Sequence, residues 1–508
     1  MIARAVPGLE VIRSYRRRWL VRDVVAGLVL SALLVPQGMA YAELAGLPAV
    51  TGLYTSVLCL VGYAIFGPSK ILVLGPDSAL GPMIAATILP LMGANGDPAR
   101  AVALASMLAL LTGAAMVLAG VGKLGFIADL LSKPTMLGYM NGLSLIILVG
   151  QLPKLFGFSV QAGNFIAELN GFISGVAEGE VVRAAAAVGI GALLLILVLQ
   201  RLLPKLPVGL IAVVAAIIAT KLFSLEAKGV VLVGVLPQGL PSFTIPRINW
   251  SDVAPLIGGA LGISLVALAD TISTSSSFAD RRGDEVHGNS EMVGLGAANL
   301  AAGLFQGFPV STSGSRTAVA EQSGAKTQVT GLVGALVITL MLLLFPWLLQ
   351  DLPTPTLAAV VIAASVSLAD IPATRRLWSQ SRTEFILSVA AFAGVVLLGV
   401  LLGIGFAGFT VSAALGSGSA AATQGASFLF FPLTFLAPTF VPLALLSGWL
   451  EVAAKINPIT YVLEAMRALL NTGWDGKAIG TAILACLVLA VAMYALAAFA
   501  LHVRTRRL

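Results

Sequence analysis

Long apolar segments alternate with short polar ones along most of the chain. Several of these segments contain no charged residue, among them Val24 to Ala42, Pro48 to Ser69, Ser78 to Gly96, Ala101 to Gly122 and Pro134 to Pro153. Because a helix needs roughly 17 to 25 apolar residues to cross a bilayer, each run predicts a transmembrane segment. The composition agrees, since 58% of the 508 residues are hydrophobic, 10% are charged and the mean hydropathy is +0.99. A soluble protein is excluded, and we expect an all-α polytopic membrane protein.

The basic residues recur after alternate apolar runs, which gives the net charge of +7 a topological meaning. Lys and Arg near helix ends stay on the cytoplasmic side, so their spacing predicts cytoplasmic N- and C-termini and about 14 to 16 crossings. The arm of residues 1–23 is too charged for a cleaved signal peptide and is expected to be cytoplasmic. We therefore predict a multi-pass protein of the cell membrane with no nucleic-acid partner.

Two apolar segments are interrupted where a membrane span should be continuous. They are GPDSALGP, from Gly75 to Pro82, and FPVSTSGSRT, from Phe308 to Thr317. Irregular backbone at membrane depth is tolerated where it lines a cavity, and paired interruptions indicate an inverted-repeat secondary transporter. Half-helices that begin at these breaks would direct their N-terminal amides at one anion. The segment from Ser224 to Asp252 is expected to divide the two halves.

The second interruption supplies the main candidate for anion binding. Arg316 follows a series of hydroxyl groups, and an intramembrane arginine costs roughly 2.5 to 3.5 kcal/mol on insertion scales, which favours a functional role. The alternative is that Arg316 lies at a helix end, where it extends to the interface or pairs with Glu321. The anion-binding candidates are Ser78, Ala79, Ser313, Ser315, Arg316, Gln37 and Tyr41.

Other polar residues have competing interpretations. Asp270, with Thr274 one turn later, is the candidate for ion coupling by a proton or Na+, although it could equally neutralise Arg316 or cap a helix. Asp77 is expected to cap the helix of the first interruption. Gln37 and Tyr41 share one helical face and would either line a cavity or make an interhelical hydrogen bond.

Several other chemistries are excluded by spacing. Cys59 and Cys486 lie far apart in apolar runs, so neither a disulfide framework nor a CxxC site is expected. His287 and His502 have no partner at metal-ligand spacing, and no phosphate-binding GxxxxGK[ST] motif occurs. We expect no enzymatic activity, no catalytic residue, no structural metal and no cofactor other than a coupling H+ or Na+.

Long motifs resemble the SulP sulfate-permease family of anion transporters up to about Gly403. They include VPQGMAYAELAGLPAVTGLY, FGPSKILVLGPDSA, KLGFIADLLSKPTMLGYMNG and LADTISTSSSFADRRGDEVHGNSEMVGLGAANLAAGLFQGFPVSTSGSRTAVAEQ. The resemblance implies two inverted seven-helix repeats, a core and a gate domain, and anion binding between half-helices that follow Pro76 and Pro309. Ser315 and Arg316 match the family's Ser-Arg pair. Asp270 stands where many members have a coupling Glu, and together with Thr274 is similar to the Na+-coupled bicarbonate branch.

The C-terminal part departs from this family. No STAS domain is expected, and a segment containing QGASFLFFPLTF and NPITYVLEAMRALL resembles the last third of an ATP-binding-cassette type-2 permease of the drug-export kind. We therefore divide the chain into an arm (1–23), a SulP-like domain (24–403, with halves 24–223 and 253–403) and a permease-like fragment (404–508).

The sequence thus predicts a secondary active transporter of an anion such as sulfate or bicarbonate, coupled to H+ or Na+ and working by alternating access. Its expected partners are the anion, membrane lipid and a second copy of the chain. The alternative is a membrane subunit of an exporter that works with a separate ATPase. A third interpretation is a recombined gene whose C-terminal segment is inactive or serves only in dimer packing.

Overall fold

The computed structural model describes residues 7–92, 96–124, 133–160, 165–203, 207–280 and 286–398, together with residues 455, 460, 461 and 481. The permease-like fragment predicted for 404–508, including Cys486 and His502, lies outside the described residues apart from those four positions. The chain divides into two compact units. Unit 1 comprises Met1–Ala128, Met140–Asp370 and Val395–Leu401, and unit 2 comprises Asp129–Tyr139, Ile371–Gly394 and Leu402–Leu508.

The described residues form α-helices and one short pair of strands. In chain order the elements are α1 Pro7–Ser14, α2 Leu20–Leu44, α3 Ala49–Phe66, β1 Leu74–Gly75, α4 Gly81–Ile88, α5 Pro98–Val121, α6 Lys133–Leu155, α7 Phe165–Glu178, α8 Arg183–Leu202, α9 Val208–Phe223, α10 Trp250–Asp280, α11 Gly288–Leu304, β2 Ser311–Thr312, α12 Gly314–Gln322, α13 Val329–Leu344, α14 Thr354–Leu368, α15 Ile371–Gln380 and α16 Arg382–Leu398.

Seven helical segments in the described part are long and apolar enough to cross a membrane. Four of them are α3, α5, α8 and α2, the last of which is extended back to Arg17. The others are most of α6, most of α10 and the continuous segment that contains both α14 and α15. Shorter apolar helices include α4, α9, α13 and α16. The prediction of an all-α polytopic membrane protein is confirmed. Residues 224–249 separate α9 from α10 and contain a 3-10 turn at Glu226–Lys228 and an isolated antiparallel β-bridge between Leu232 and Pro353.

Two segments are shorter than the hydrophobic pattern suggested. In the run from Ser78 to Gly96, the described residues form the eight-residue helix α4, which ends at Ile88, and a 3-10 turn at Leu89–Leu91 that contains Pro90. A proline lacks the N–H that would continue the helix, and it restricts the residue before it. The segment from Arg316 to Leu349 is likewise divided, into α12, α13 and a 3-10 turn at Pro346–Leu349. Gly324 adopts a left-handed φ of +96° between α12 and α13 and ends the first helix.

Small residues allow the helices of unit 1 to approach closely. A Cβ atom added to Gly52 of α3 would lie 1.8 Å from the carbonyl oxygen of Gly38 in α2, so the two backbones are in direct contact. Small residues serve the same purpose in other membrane helix pairs. Helix α11 packs against both α3 and α5, and α2 packs against α3, α13 and α14. The interrupted segments are therefore supported on several sides.

In unit 2, the described residues include the beginning of α6, all of α15 and most of α16. The ring of Trp378 in α15 packs edge-on against Phe385 in α16, with ring centroids 4.9 Å apart. The Arg382 guanidinium lies 5.7 Å from the centre of the Trp378 ring. An aromatic and a cation–π contact thus join these two consecutive helices.

Candidate functional site

The two interrupted segments pair with each other in unit 1. Strands β1 and β2 run antiparallel, with Leu74 opposite Thr312 and Gly75 opposite Ser311. Helix α4 begins shortly after β1, and α12 begins directly after β2. The first turns of two short helices therefore lie next to the same strand pair. This is the arrangement expected from the paired Gly/Pro/Ser breaks.

Side chains and backbone groups fix the register of the pair. The amide of Ser313 donates to the carbonyl oxygen of Val73 at 3.1 Å. The amide of Val73 in turn donates to the hydroxyl oxygen of Thr317 at 3.0 Å. Because Thr317 lies in the first turn of α12, this bond attaches that helix directly to the other interrupted segment.

Short polar residues accept backbone hydrogen bonds before both helices, but of the two only α12 has a side-chain N-cap. The Asp77 carboxylate accepts a hydrogen bond from the Ala79 amide at 2.8 Å in the turn before α4, but the N-cap of α4 is Leu80, which makes no side-chain hydrogen bond. The expected capping of this helix by Asp77 is therefore wrong. The Ser313 hydroxyl accepts from the amide of Arg316 at 3.4 Å, as an N-cap of α12. The Ala79 amide is therefore already occupied, although its residue was a candidate for anion binding.

Arg316 is the largest of the fully buried side chains, with 1% of its surface exposed. Its Nη1 donates to the carbonyl oxygen of Pro76 at 2.6 Å, and its Nη2 lies 3.8 Å from Oδ2 of Asp77. Among the described residues, Nε and Nη2 are buried and have no hydrogen-bond partner. The alternative in which Arg316 extends to the membrane interface is wrong, because the guanidinium is held inside unit 1 by the loop before α4.

Gly75 provides the space for this guanidinium. A Cβ atom at Gly75 would lie 3.1 Å from Nη1 of Arg316 and 3.2 Å from Cδ2 of Leu34. Both distances are shorter than ordinary van der Waals contacts. A side chain at this position would therefore require the Arg316 guanidinium and Leu34 to shift by a few tenths of an ångström.

The other candidate residues differ in their distance from the arginine head. Tyr41 of α2 is buried, interacts with the Ser78 side chain and lies within electrostatic range of Arg316 and Asp77. Ser78 is also buried, next to the start of α4. Gln37 is only half-buried, one turn before Tyr41.

The hydroxyl groups of α12 are more open. The Ser313 and Ser315 oxygen atoms lie 3.1 Å apart, and Ser315 is exposed. Both hydroxyl groups lie at the start of α12, on the side of the second interrupted segment that is open to solvent. The structure thus brings Tyr41, Ser78 and Arg316 together within unit 1 and places Ser315 at its edge.

Asp270 of α10 lies beside the β1–β2 strand pair, close to Thr312. The Thr312 hydroxyl lies 3.4 Å from Oδ2 of Asp270 and 3.3 Å from the hydroxyl of Thr271. Asp270 also lies within electrostatic range of Asp77 and Arg316. Thr274 is buried beside the first residue of α12, 3.9 Å from the place where a Cβ atom on Gly314 would lie. The described residues contain no group of three or more His, Cys, Asp or Glu side chains arranged to hold a metal ion.

A buried carboxylate of unit 1 was not singled out from the sequence. Asp23, in the first turn of α2, is 0% exposed. Its carboxylate accepts hydrogen bonds from five donors, which are the amides of Lys326 and Thr327 and the hydroxyls of Thr327, Thr330 and Tyr15. The bonds from residues 326–330 hold the connection between α12 and α13. The available signal was a single acidic residue at the start of an apolar run. The neighbouring arginines made this residue look like part of a charged, solvent-exposed arm.

The sulfate permease family model matches residues 20–391, nearly three quarters of the chain. The chain belongs to the sulfate permease family. Within this family it is 41% identical over 398 residues to the "Probable sulfate transporter MT1781" of Mycobacterium tuberculosis (strain CDC 1551 / Oshkosh), covering 78% of this chain and 70% of that protein.

Two solved structures share the fold of this family member. The structure of SLC26A9 matches with a TM-score of 0.77 at 23% identity and covers 82% of this chain and 68% of its own. The transmembrane domain of the cyanobacterium bicarbonate transporter BicA matches with a TM-score of 0.68 at 22% identity and covers 77% and 98%. These named proteins are transporters rather than enzymes, as we expected for this chain.

A second family model, that of the ABC-2 type transporters, matches residues 357–471. It overlaps the sulfate permease match over residues 357–391. The resemblance of the C-terminal part to a type-2 permease is therefore confirmed at the level of sequence similarity.

Proposed function

We propose that this sulfate permease family member is a secondary active transporter of small inorganic anions, of the sulfate or bicarbonate class, that works by alternating access. The buried Arg316 carries this proposal, because two of its nitrogen atoms lack hydrogen-bond partners among the described residues. An unsatisfied buried cation is costly unless a ligand completes it. The names of its relatives, a probable sulfate transporter and a bicarbonate transporter, indicate the class of anion.

The adjacent carboxylates explain why transport would be coupled to a cation. Arg316 carries one positive charge, whereas Asp77 and Asp270 lie within its electrostatic range and carry two negative charges when ionised. An anion entering this site would raise an already unfavourable negative charge. A proton or Na+ at Asp270, with Thr274 as a neighbouring oxygen, would remove that penalty. This balance of charge supports coupling of the anion to H+ or Na+.

Uptake by proteoliposomes tests the site. Labelled sulfate and labelled bicarbonate are supplied separately, with an imposed Na+ gradient, an imposed pH gradient or neither. We expect uptake of at least one anion, and we expect Arg316→Ala to lower it about a hundredfold, the effect typical of truncating a buried charge partner. The exposed Arg183 supplies the matched control Arg183→Ala, which should leave uptake unchanged. Unchanged uptake in Arg316→Ala would remove the arginine from the anion site.

Asp270→Asn tests the coupling. The amide keeps the size of the side chain but can neither bind a proton at this pH nor carry a negative charge. We expect anion exchange to persist while uptake loses its dependence on the Na+ or pH gradient. If the variant still follows the same gradient, the coupling ion binds elsewhere.

The match of residues 357–471 to ABC-2 type transporters supports a second candidate, export as the membrane subunit of a separate ATPase. Purification of the full chain from its native membrane, followed by assay of bound ATPase activity, tests this function. Truncation after Ser417 provides the complementary test. Uptake that survives truncation would show that the C-terminal segment is a passenger, whereas export that requires both the segment and ATP would favour the second candidate.

We also propose cytoplasmic N- and C-termini, a location in the cell membrane and a homodimer. The basic segments at both ends of the sequence support the orientation. Modification of a single cysteine introduced at Arg13 or Arg506 by a membrane-impermeant thiol reagent, in intact and opened cells, would test it. The mass of the protein in a detergent micelle tests the dimer.

A further inference from the structure

A compact group of arginines surrounds the junction of α1 and α2. We call it the basic corner, and it consists of Arg13, Arg16, Arg17, Arg18 and Arg22, all of which are exposed. Helix α1, which carries Arg13, packs closely against α3, because a Cβ atom on Gly8 would lie 2.5 Å from the carbonyl oxygen of Ala64 in α3. The corner is therefore part of the packed structure of unit 1.

These positive charges are not neutralised within the described part of the chain. None of the five guanidinium groups pairs there with a carboxylate of a described side chain. Asp23 follows directly in the sequence, but its carboxylate points inward and already accepts from five donors. Arg16 lies 5.5 Å from the centre of the Trp19 ring, a contact that adds no counter-charge.

The basic corner lies at one end of a membrane span. The span that contains α2 begins at Arg17, and apolar side chains on the following turns face outward from the protein. Leu20 is 48% exposed and Val21 is 72% exposed, and this surface continues along the helix at Val25 and Leu28. Side chains of this kind are covered by acyl chains in a bilayer. The arginines therefore stand at the depth of the lipid headgroups.

We propose that the basic corner binds the headgroups of anionic phospholipids. A guanidinium offers paired N–H donors that match the oxygens of a phosphate group. Clusters of four to eight basic residues at the end of a transmembrane helix attract anionic lipid, at about 1 kcal/mol for each residue. The exposed apolar side chains next to the corner hold the acyl chains of the same lipid. A soluble anion or a nucleic acid would use the guanidinium groups but leave this apolar surface unused.

Native mass spectrometry of the full chain, released from detergent, tests the proposal. The protein is incubated with phosphatidylglycerol or with phosphatidylcholine, and bound lipids are counted as the lipid concentration rises. We expect phosphatidylglycerol to bind at least tenfold more tightly than phosphatidylcholine and to dissociate as the salt concentration increases. Equal binding of the two lipids, or binding unaffected by salt, would overturn the proposal.

Two matched variants assign the binding to the corner. The corner variant replaces Arg13, Arg16, Arg17 and Arg18 with Gln, whereas the control variant makes the same change at Arg183, Arg201, Arg375 and Arg376, which are also exposed. We expect the corner variant to lose phosphatidylglycerol binding by about fivefold per arginine and the control to retain it. Equal losses in the two variants would show that only overall charge matters.

A third variant protects the test against misfolding. Replacement of the same four arginines by Lys keeps the charge and should retain most of the phosphatidylglycerol binding. Should the Gln variant fail to fold, this Lys variant and the salt dependence of the wild-type protein still decide the question. Loss of binding in a folded Lys variant would contradict the charge-based mechanism.

Discussion

Asp23 and Arg316 are both charged and both buried in unit 1, yet their surroundings treat them very differently. Asp23 accepts hydrogen bonds from five donors. Arg316 makes one short hydrogen bond, to Pro76, and lies 3.8 Å from Asp77, while its Nε and Nη2 have no hydrogen-bond partner among the described residues. One charge is satisfied by the protein itself, and the other is left incomplete.

This difference distinguishes a charge that stabilises the fold from a charge that has donors available for a ligand. A buried carboxylate with a full set of donors holds its neighbours in one arrangement, and its removal leaves those donors unpaired. A buried guanidinium with unused donors gains most when a ligand with acceptor oxygens arrives. Asp23 therefore fixes the connection between α12 and α13, whereas Arg316, on α12, is the group that we propose to bind the anion.

The largest effect should come from the removal of Asp23. We expect Asp23→Ala to lower the free energy of unfolding by about 3 kcal/mol or more, because two backbone amides and three hydroxyls lose their acceptor. Arg316→Met, which keeps the apolar stem and leaves the Pro76 carbonyl oxygen and the Asp77 carboxylate without this partner, should lower it by less. Thermal unfolding of the two variants in the same detergent measures both changes. An equal loss in the two proteins would contradict the distinction.

Gly75→Val should displace the Arg316 guanidinium and leave the hydrogen bonds of Asp23 unchanged. The new side chain would approach Nη1 of Arg316 and Cδ2 of Leu34 too closely, so the guanidinium must move. We expect the anion concentration for half-maximal uptake to rise about tenfold, while overpacking lowers the free energy of unfolding by about 1 to 3 kcal/mol. The control is Gly191→Ala in α8, where an added Cβ atom meets nothing within 4 Å. Unchanged half-saturation in Gly75→Val would show that this position of the guanidinium is unimportant for uptake.

Thr330→Val removes one of the five donors to Asp23. The expected loss in the free energy of unfolding is about 1 kcal/mol, the usual contribution of one hydrogen bond. Thr356→Val is a matched control, because the Thr356 hydroxyl is buried and has no partner among the described residues. Chemical denaturation should therefore find the control as stable as the wild-type protein or more stable. A loss in the control equal to that in Thr330→Val would show that the bond to Asp23 contributes nothing.

Ser315→Ala should produce the smallest effect on stability. The side chain is exposed and, among the described residues, its oxygen has a hydrogen-bond contact with the Ser313 hydroxyl alone, so we expect a change below about 0.5 kcal/mol. If Ser315 binds the anion as its family motif implies, half-saturation should rise by about two- to tenfold, the value of one hydrogen bond. Titration of labelled anion uptake distinguishes the two properties. An unaltered half-saturation would remove Ser315 from the site.

The sequence was most informative where the chain breaks its own pattern. The Gly/Pro/Ser interruptions at 75–82 and 308–317 predicted two short helices near one point, and the structure places them beside one strand pair. The burial of Arg316 could not be deduced, because the carbonyl oxygen that holds it belongs to Pro76, 240 residues away. Asp23 was missed for the same reason, since its partners at 326–330 lie at the other side of the sequence.

The two-residue ladder between β1 and β2 also limits how this chain can change over generations. Successive residues of a strand face opposite sides, so one inserted or deleted residue would reverse which side each one faces. A side chain would then replace Gly75 opposite the guanidinium, and Thr312 would turn away from Asp270. Natural selection can act on substitutions in these loops one at a time, whereas an insertion or a deletion alters both halves of the site at once. The distance along the chain from Gly75 to α4 and from Ser311 to Arg316 is thus as much a part of the site as the identity of its residues.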